Sequence, residues 1–163
     1  MRINTIISKL GLEKKLNKDD LTIINDLKTK KFTESRPCDN KPFVDSVALI
    51  HYALTKTNKD VLIVASHIKD TDELRDKIIT LIADSSLPKK TKLLKKKTKD
   101  YIEFESGVKI YFKPIRASYP GIQWSWIMIN DIRLIDPPKY LKIFNNHFPV
   151  IESIKDAKLT LSP

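Results

Sequence analysis

Residues Asp60–Ser66 read DVLIVAS, a run of branched apolar residues closed by a polar one. A run of this kind, with no polar residue in alternation, predicts a strand buried on both faces, as in the middle of a parallel sheet. Just beyond it, Asp70 can cap a helix and Glu73 can complete a capping box. Leu74, Ile78, Leu81 and Ile82 then form one apolar stripe. Strand, short loop and helix make the repeating unit of a parallel sheet, so the fold class read here is α/β.

Upstream, Phe43 opens FVDSVALIHYAL, a predicted helix with Pro42 tolerated in its first turn. It is preceded by a polar turn, Ser35–Pro42, SRPCDNKP. Earlier still, residues 3–27 carry apolar positions at mixed three- and four-residue spacings, broken near Gly11 and at Asn17–Asp20. They predict two short helices, an N-terminal helical arm over residues 1–30 attached to a main domain over residues 31–163.

Downstream, Lys89–Lys99 is a positive insertion. Ile102, Phe104, Val108, Ile110 and Phe112 then alternate around Ser106–Gly107, which predicts a hairpin. Trp124–Ile129, WSWIMI, predicts a further buried strand with Asn130–Asp131 at its carboxyl end. Pro137 and Pro138 precede a predicted helix around Lys139–Phe144, and the terminal LTLSP reads as one more strand.

Composition narrows the function classes. The chain has 163 residues, 41% of them hydrophobic and 31% charged, which suits one folded core rather than a disordered chain. The single cysteine, Cys38, rules out an internal disulfide and a CxxC centre. The first residues lack a secretory apolar core, and no apolar run is long enough to span a bilayer. The net charge of +10 favours contact with nucleic acid or an acidic protein surface, and also suits a lysine-rich surface that merely stays soluble. Lys89, Lys90, Lys92, Lys95, Lys96, Lys97 and Lys99 are candidate phosphate contacts. Arg116 and Tyr119 are candidate extensions of that surface, the tyrosine by stacking on a base. A solvated charge run is the bland alternative. His51, His67 and His147 have no metal-ligand spacing, and Cys38 has no evident base partner.

The parts occur in an informative order: polar turn and helix, strand ending in ASH, helix, hairpin with SG at its tip, glycine at Gly121, strand ending in ND, strand ending in SP. This succession, over residues 35–163, resembles the amino-terminal ATPase domain of the large terminase of tailed phages, the motor that drives DNA into a procapsid. The resemblance implies a three-layer, mostly parallel sheet of the P-loop ATPase type. It places Lys41 where the family's phosphate-binding lysine lies, and Asn130 and Asp131 where the family carries an Asp-Glu pair for magnesium and water.

At those positions the chain departs from the pattern. Asn40 stands in place of glycine, although asparagine tolerates a left-handed backbone. Pro42 stands in place of the magnesium-binding hydroxyl residue and has no N–H to direct at an anion. Asn130 is neutral, and Asp131 is one methylene shorter than glutamate, which matters for a base that must reach its water. Asn40, Lys41, Pro42, Asn130 and Asp131 therefore read as a degenerate nucleotide site, with no catalytic residue, metal or cofactor expected. Lys41 as an ordinary surface lysine and Asp131 as a strand-end cap stay open.

The expected function is a non-enzymatic terminase-like protein, a pseudo-ATPase. It binds a phage large terminase or another packaging-motor component and modulates, by preference inhibits, DNA packaging in the cytoplasm of the infected bacterial host. No membrane association is expected. The alternatives are an accessory DNA-binding protein using the lysine-rich surface, and a weak DNA-dependent ATPase.

Overall fold

The computed structural model describes residues 2–34, 38, 40–87, 93–115, 123–130, 137–138, 141, 145–146, 151–152 and 156–161. Two helices come first, α1 (Ile3–Lys9) and α2 (Lys18–Thr29). α2 starts at a reciprocal capping box: the Asp20 N–H donates to Asn17 Oδ1 and the Asn17 N–H donates to Asp20 Oδ2, each at 2.9 Å. A three-residue strand, β1 (Phe32–Glu34), precedes α3 (Lys41–Thr55), which holds Pro42 in its first turn. β2 (Asp60–Ala65) and α4 (Ile68–Ala83) follow as the sequence predicts. α4 starts at His67 rather than at Asp70, and His67 makes no side-chain cap. Asp70 sits inside the first turn, where its charge suits the helix dipole.

The remaining strands are β3 (Leu94–Lys97), β4 (Tyr101–Phe104), β5 (Lys109–Pro114), β6 (Trp124–Ile129) and β7 (Lys158–Leu161). All seven form one sheet in the order β1-β7-β6-β2-β5-β4-β3. The first five in that order run parallel, and β4 and β3 are antiparallel additions at one edge. This is the mostly parallel α/β sheet expected. β2 and β6 lie at its centre, which is why DVLIVA and WSWIMI carry apolar residues at nearly every position.

Alternate residues of the central strands feed two cores. Val61, Ile63, Trp126 and Met128 join one cluster with Ile6, Leu27, Leu49 and Ile78 from the four helices. Leu62, Val64, Ile127 and Ile129 join a smaller cluster on the other face with Trp124, Ile151 and Leu159. Trp124 and Trp126 would share a face in a regular strand. The register shifts between Asp60 and Val61, so Ser125 is an extra residue and the two tryptophans point to opposite cores. Trp126 donates its indole N–H to Thr160 Oγ1 of β7 at 3.0 Å, satisfying a buried polar group across neighbouring strands.

Residues 1–30, expected as an arm, place Ile6, Ile7, Leu10, Leu12, Leu16, Ile24 and Leu27 in the same core cluster as α3 and the sheet. α3 is buried from Val44 to Ala53 on every side, including Asp45 and His51. Lys95, Lys96 and Lys97, expected in an insertion between elements, lie instead in the edge strand β3. None of the described helices is long and apolar enough to cross a membrane. Of the expected helix around residues 139–144 only Leu141 is described, and it is helical; Gly121 and His147 lie outside the described residues.

Candidate functional site

In a parallel sheet the helices start above the carboxyl ends of the strands, and ligands bind in the crevice there. In this chain that crevice is a cleft of about 280 Å³ between the first turn of α3, the first turns of α4 and the end of β6. It is lined by Lys41, Pro42, Asp45, Asp70, Glu73, Leu74 and Asn130. Three of the residues singled out from sequence, Lys41, Pro42 and Asn130, therefore face one cavity. Asp131 lies outside the described residues, as does Asp39.

The cleft's chemistry differs from a phosphate cradle in several ways. Lys41 donates to Asp45 Oδ2 at 2.6 Å, one helical turn along α3, and Asp45 is 2% exposed. The ammonium is thus already neutralised inside its own helix. The backbone amides of the first turn are also committed. The Lys41 N–H donates to the Cys38 carbonyl at 3.2 Å, Pro42 has no N–H, and those of Phe43 and Val44 donate to the Asn40 carbonyl at 2.9 and 3.0 Å. A helix N-terminus binds phosphate through amides left over from the helix ladder, and here none is left over among Lys41, Pro42 and Phe43.

Asn40 explains itself structurally. Its side-chain amide donates to Asp20 Oδ2 at 2.8 Å, so the start of α3 is braced against the start of α2. A glycine could not make that bond. Asn40 has φ −100°, so the left-handed backbone expected of a glycine substitute is not adopted. The brace was missed in the sequence, where the only signal is the N-x-x-D spacing of Asn17 and Asp20.

Charge follows the same direction. Among the described lining residues one cation, Lys41, stands against three carboxylates, Asp45, Asp70 and Glu73, a balance that disfavours a polyphosphate carrying no metal. Among the described residues no three His, Cys, Asp or Glu side chains converge as metal ligands. Asn130 is 6% exposed, gives its N–H to the Val64 carbonyl at 2.8 Å, and among the described residues has no hydrogen-bond partner for Oδ1. Beside the cleft, burial and then the Asp20 and Asp45 carboxylates push the Cys38 thiol up, which disfavours the nucleophilic thiolate.

The second candidate surface is split by strand geometry. Lys95 pairs with Glu103 at 2.9 Å, and Lys96 lies over the Tyr101 ring, 5.6 Å from its centroid. The bond from Lys95 holds the Glu103 carboxyl below its ordinary range. Successive strand residues point to opposite faces, so Lys95, Lys96 and Lys97 do not form one stripe. Lys96, Lys97 and Lys99 are exposed, while Lys89, Lys90, Lys92, Arg116 and Tyr119 lie outside the described residues.

No family model matches the sequence, and no curated protein matches it. Solved structures do match the fold. The large terminase of bacteriophage HK97 superposes with a TM-score of 0.71 at 7% identity, over 90% of this chain and 33% of that one. The large terminase ATPase domain of Thermus phage P74-26 gives 0.60 at 12% identity, over 96% of this chain and 66% of that domain. The large terminase of a thermophilic bacteriophage, solved in complex with ATP-gamma-S, gives 0.55 at 19% identity, over 89% and 37%. The chain has the fold of a large terminase ATPase domain, and spans about a third of the whole terminases it matches.

Proposed function

We propose that this chain is a terminase-like pseudo-ATPase that binds a component of a phage packaging motor and inhibits DNA packaging in the infected bacterial cytoplasm. One observation carries the reading. The segment that would hold a triphosphate has spent its lysine on Asp45 and its first-turn amides on Cys38 and Asn40. A domain with the motor's fold and no phosphate cradle can still present a subunit-like shape to the motor. It can occupy a subunit's place without contributing turnover. A thermophilic phage terminase of this fold was solved in complex with ATP-gamma-S, the kind of ligand that this reading denies to the cleft around Lys41. The experiment is a pull-down from phage-infected cells with nuclease present, joined to an in vitro packaging assay. Retention of terminase or portal protein after nuclease, with packaging reduced as this chain is added, supports the reading. No retained packaging component and unchanged packaging contradict it.

A second reading, an accessory DNA-binding protein, draws on exposed Lys96, Lys97 and Lys99 at the β3 edge. It predicts duplex binding that weakens with salt, and a shallower salt slope once these lysines are replaced.

A further inference from the structure

We infer that a second cleft, at the amino ends of β6 and β7, is a binding site for a phosphate-type oxyanion. This inference does not rest on the proposed inhibition of packaging. The cleft has a volume of about 410 Å³ and is walled by the end of α2, the last turns of α3 and the start of β7. Because α3 runs from the carboxyl ends of the strands to their amino ends, this cleft lies at the other end of the sheet from Lys41.

Its charge is opposite to that of the cleft around Lys41. Among the described lining residues, the ammonium groups of Lys28, Lys31, Lys56 and Lys158 stand against the carboxylate of Asp156. His51 adds an imidazole on the α3 wall. Part of this set has an internal explanation. Lys158 donates to the Leu27 carbonyl at 3.0 Å and to that of Lys28, satisfying the end of α2, and Lys31 donates to the Glu152 carbonyl at 2.6 Å. These bonds account for two lysines. They do not account for Lys28 and Lys56, which add two further positive charges at the same mouth.

Lys158 is the most enclosed of these lysines and lies over Trp126, with its Nζ 5.4 Å from the ring centroid. Burial, then Lys56 and Lys28, pull its ammonium down to about 8, against the helix carbonyls that favour its charge. A compact anion between these lysines relieves that repulsion. Several separate ammonium groups around one cavity offer more donors than the two oxygens of a carboxylate can use, and lysine recognises phosphate as a point charge. The aromatic floor, Tyr52 and Trp126, is 4% and 1% exposed, so the ligand is held by its charge and not by stacking.

The oxyanion can be free or part of a DNA backbone, and one titration separates the two. Pyrophosphate is titrated calorimetrically into the full chain at low salt, with wild type, a Lys28→Glu/Lys56→Glu double variant and a Lys14→Glu/Lys18→Glu control. Both pairs are exposed, and circular dichroism checks that each variant folds. We expect saturable binding that falls at least about tenfold in the first variant and is unchanged in the control. Displacement of pyrophosphate by a short DNA duplex assigns the site to backbone phosphate, and failure to displace it assigns a free oxyanion. Absence of saturable binding, or equal loss in both variants, overturns the inference. Neither result bears on whether a packaging protein is captured.

Discussion

Lys41 and Asp45 stand one turn apart on α3 with Nζ and Oδ2 separated by 2.6 Å, and the lysine that fold and position would assign to a phosphate serves a buried carboxylate instead. The pair gives a partner to a carboxylate set in a helix that is buried from Val44 to Ala53. Asp45→Ala removes the 2.6 Å partner of Lys41, whose side chain is 19% exposed. We expect a loss of about 2–3 kcal/mol in urea unfolding at neutral pH. A change within error would show that the pair is incidental.

Asn40 and Asp20 carry a second expectation. Asn40→Gly restores the residue type expected of a phosphate loop but removes the donor to a carboxylate that is 1% exposed. We expect a loss of about 1–2 kcal/mol in stability and no gain of nucleotide binding. Gain of ATP affinity in this variant would mean that the loop, not the committed amides, limits the site.

At the hairpin tip, Gly107 has φ +79°, and a Cβ built there falls 2.2 Å from Asn58 Oδ1. Gly107→Ala adds both a clash and a left-handed strain, and we expect it to cost about 1–3 kcal/mol. Combining it with Asn58→Gly removes the clash at a position whose own φ of +48° glycine accepts, and leaves the strain at 107, so the double variant recovers part of the loss. Full recovery would assign the whole effect to Asn58.

Lys158 gives a pH dependence. Its folded-state value of about 8 lies below the ordinary 10.5, so between these values the unfolded chain holds the proton more tightly. Stability from this residue is therefore lowest below pH 8 and rises as pH increases through the window. Denaturation of wild type and Lys158→Met across that range should show a steeper rise in wild type. Parallel curves would place the Lys158 ammonium near its ordinary value.

Much of the fold was legible, because the central strands are parallel and buried on both faces. DVLIVA and WSWIMI announce themselves by composition, and the hairpin by alternation around Ser106–Gly107. The edges were not. β1 has three residues with only Thr33 buried, and β3 reads LKKK, so neither carries an apolar pattern. The helix start was misplaced by three residues because Asp70 fits a cap as well as a first turn. The cleft shows the same division. The loss of the Pro42 amide is visible in one letter, whereas Lys41–Asp45 and Asn40–Asp20 depend on which bonds the folded chain selects.

The most direct test of the central claim is nucleotide affinity. Binding of a fluorescent ATP analogue to the full chain is measured at millimolar magnesium, together with phosphate release with and without DNA. The account predicts no saturable binding and no release above background, unchanged by Lys41→Ala. Magnesium-dependent turnover that disappears in Lys41→Ala would contradict it.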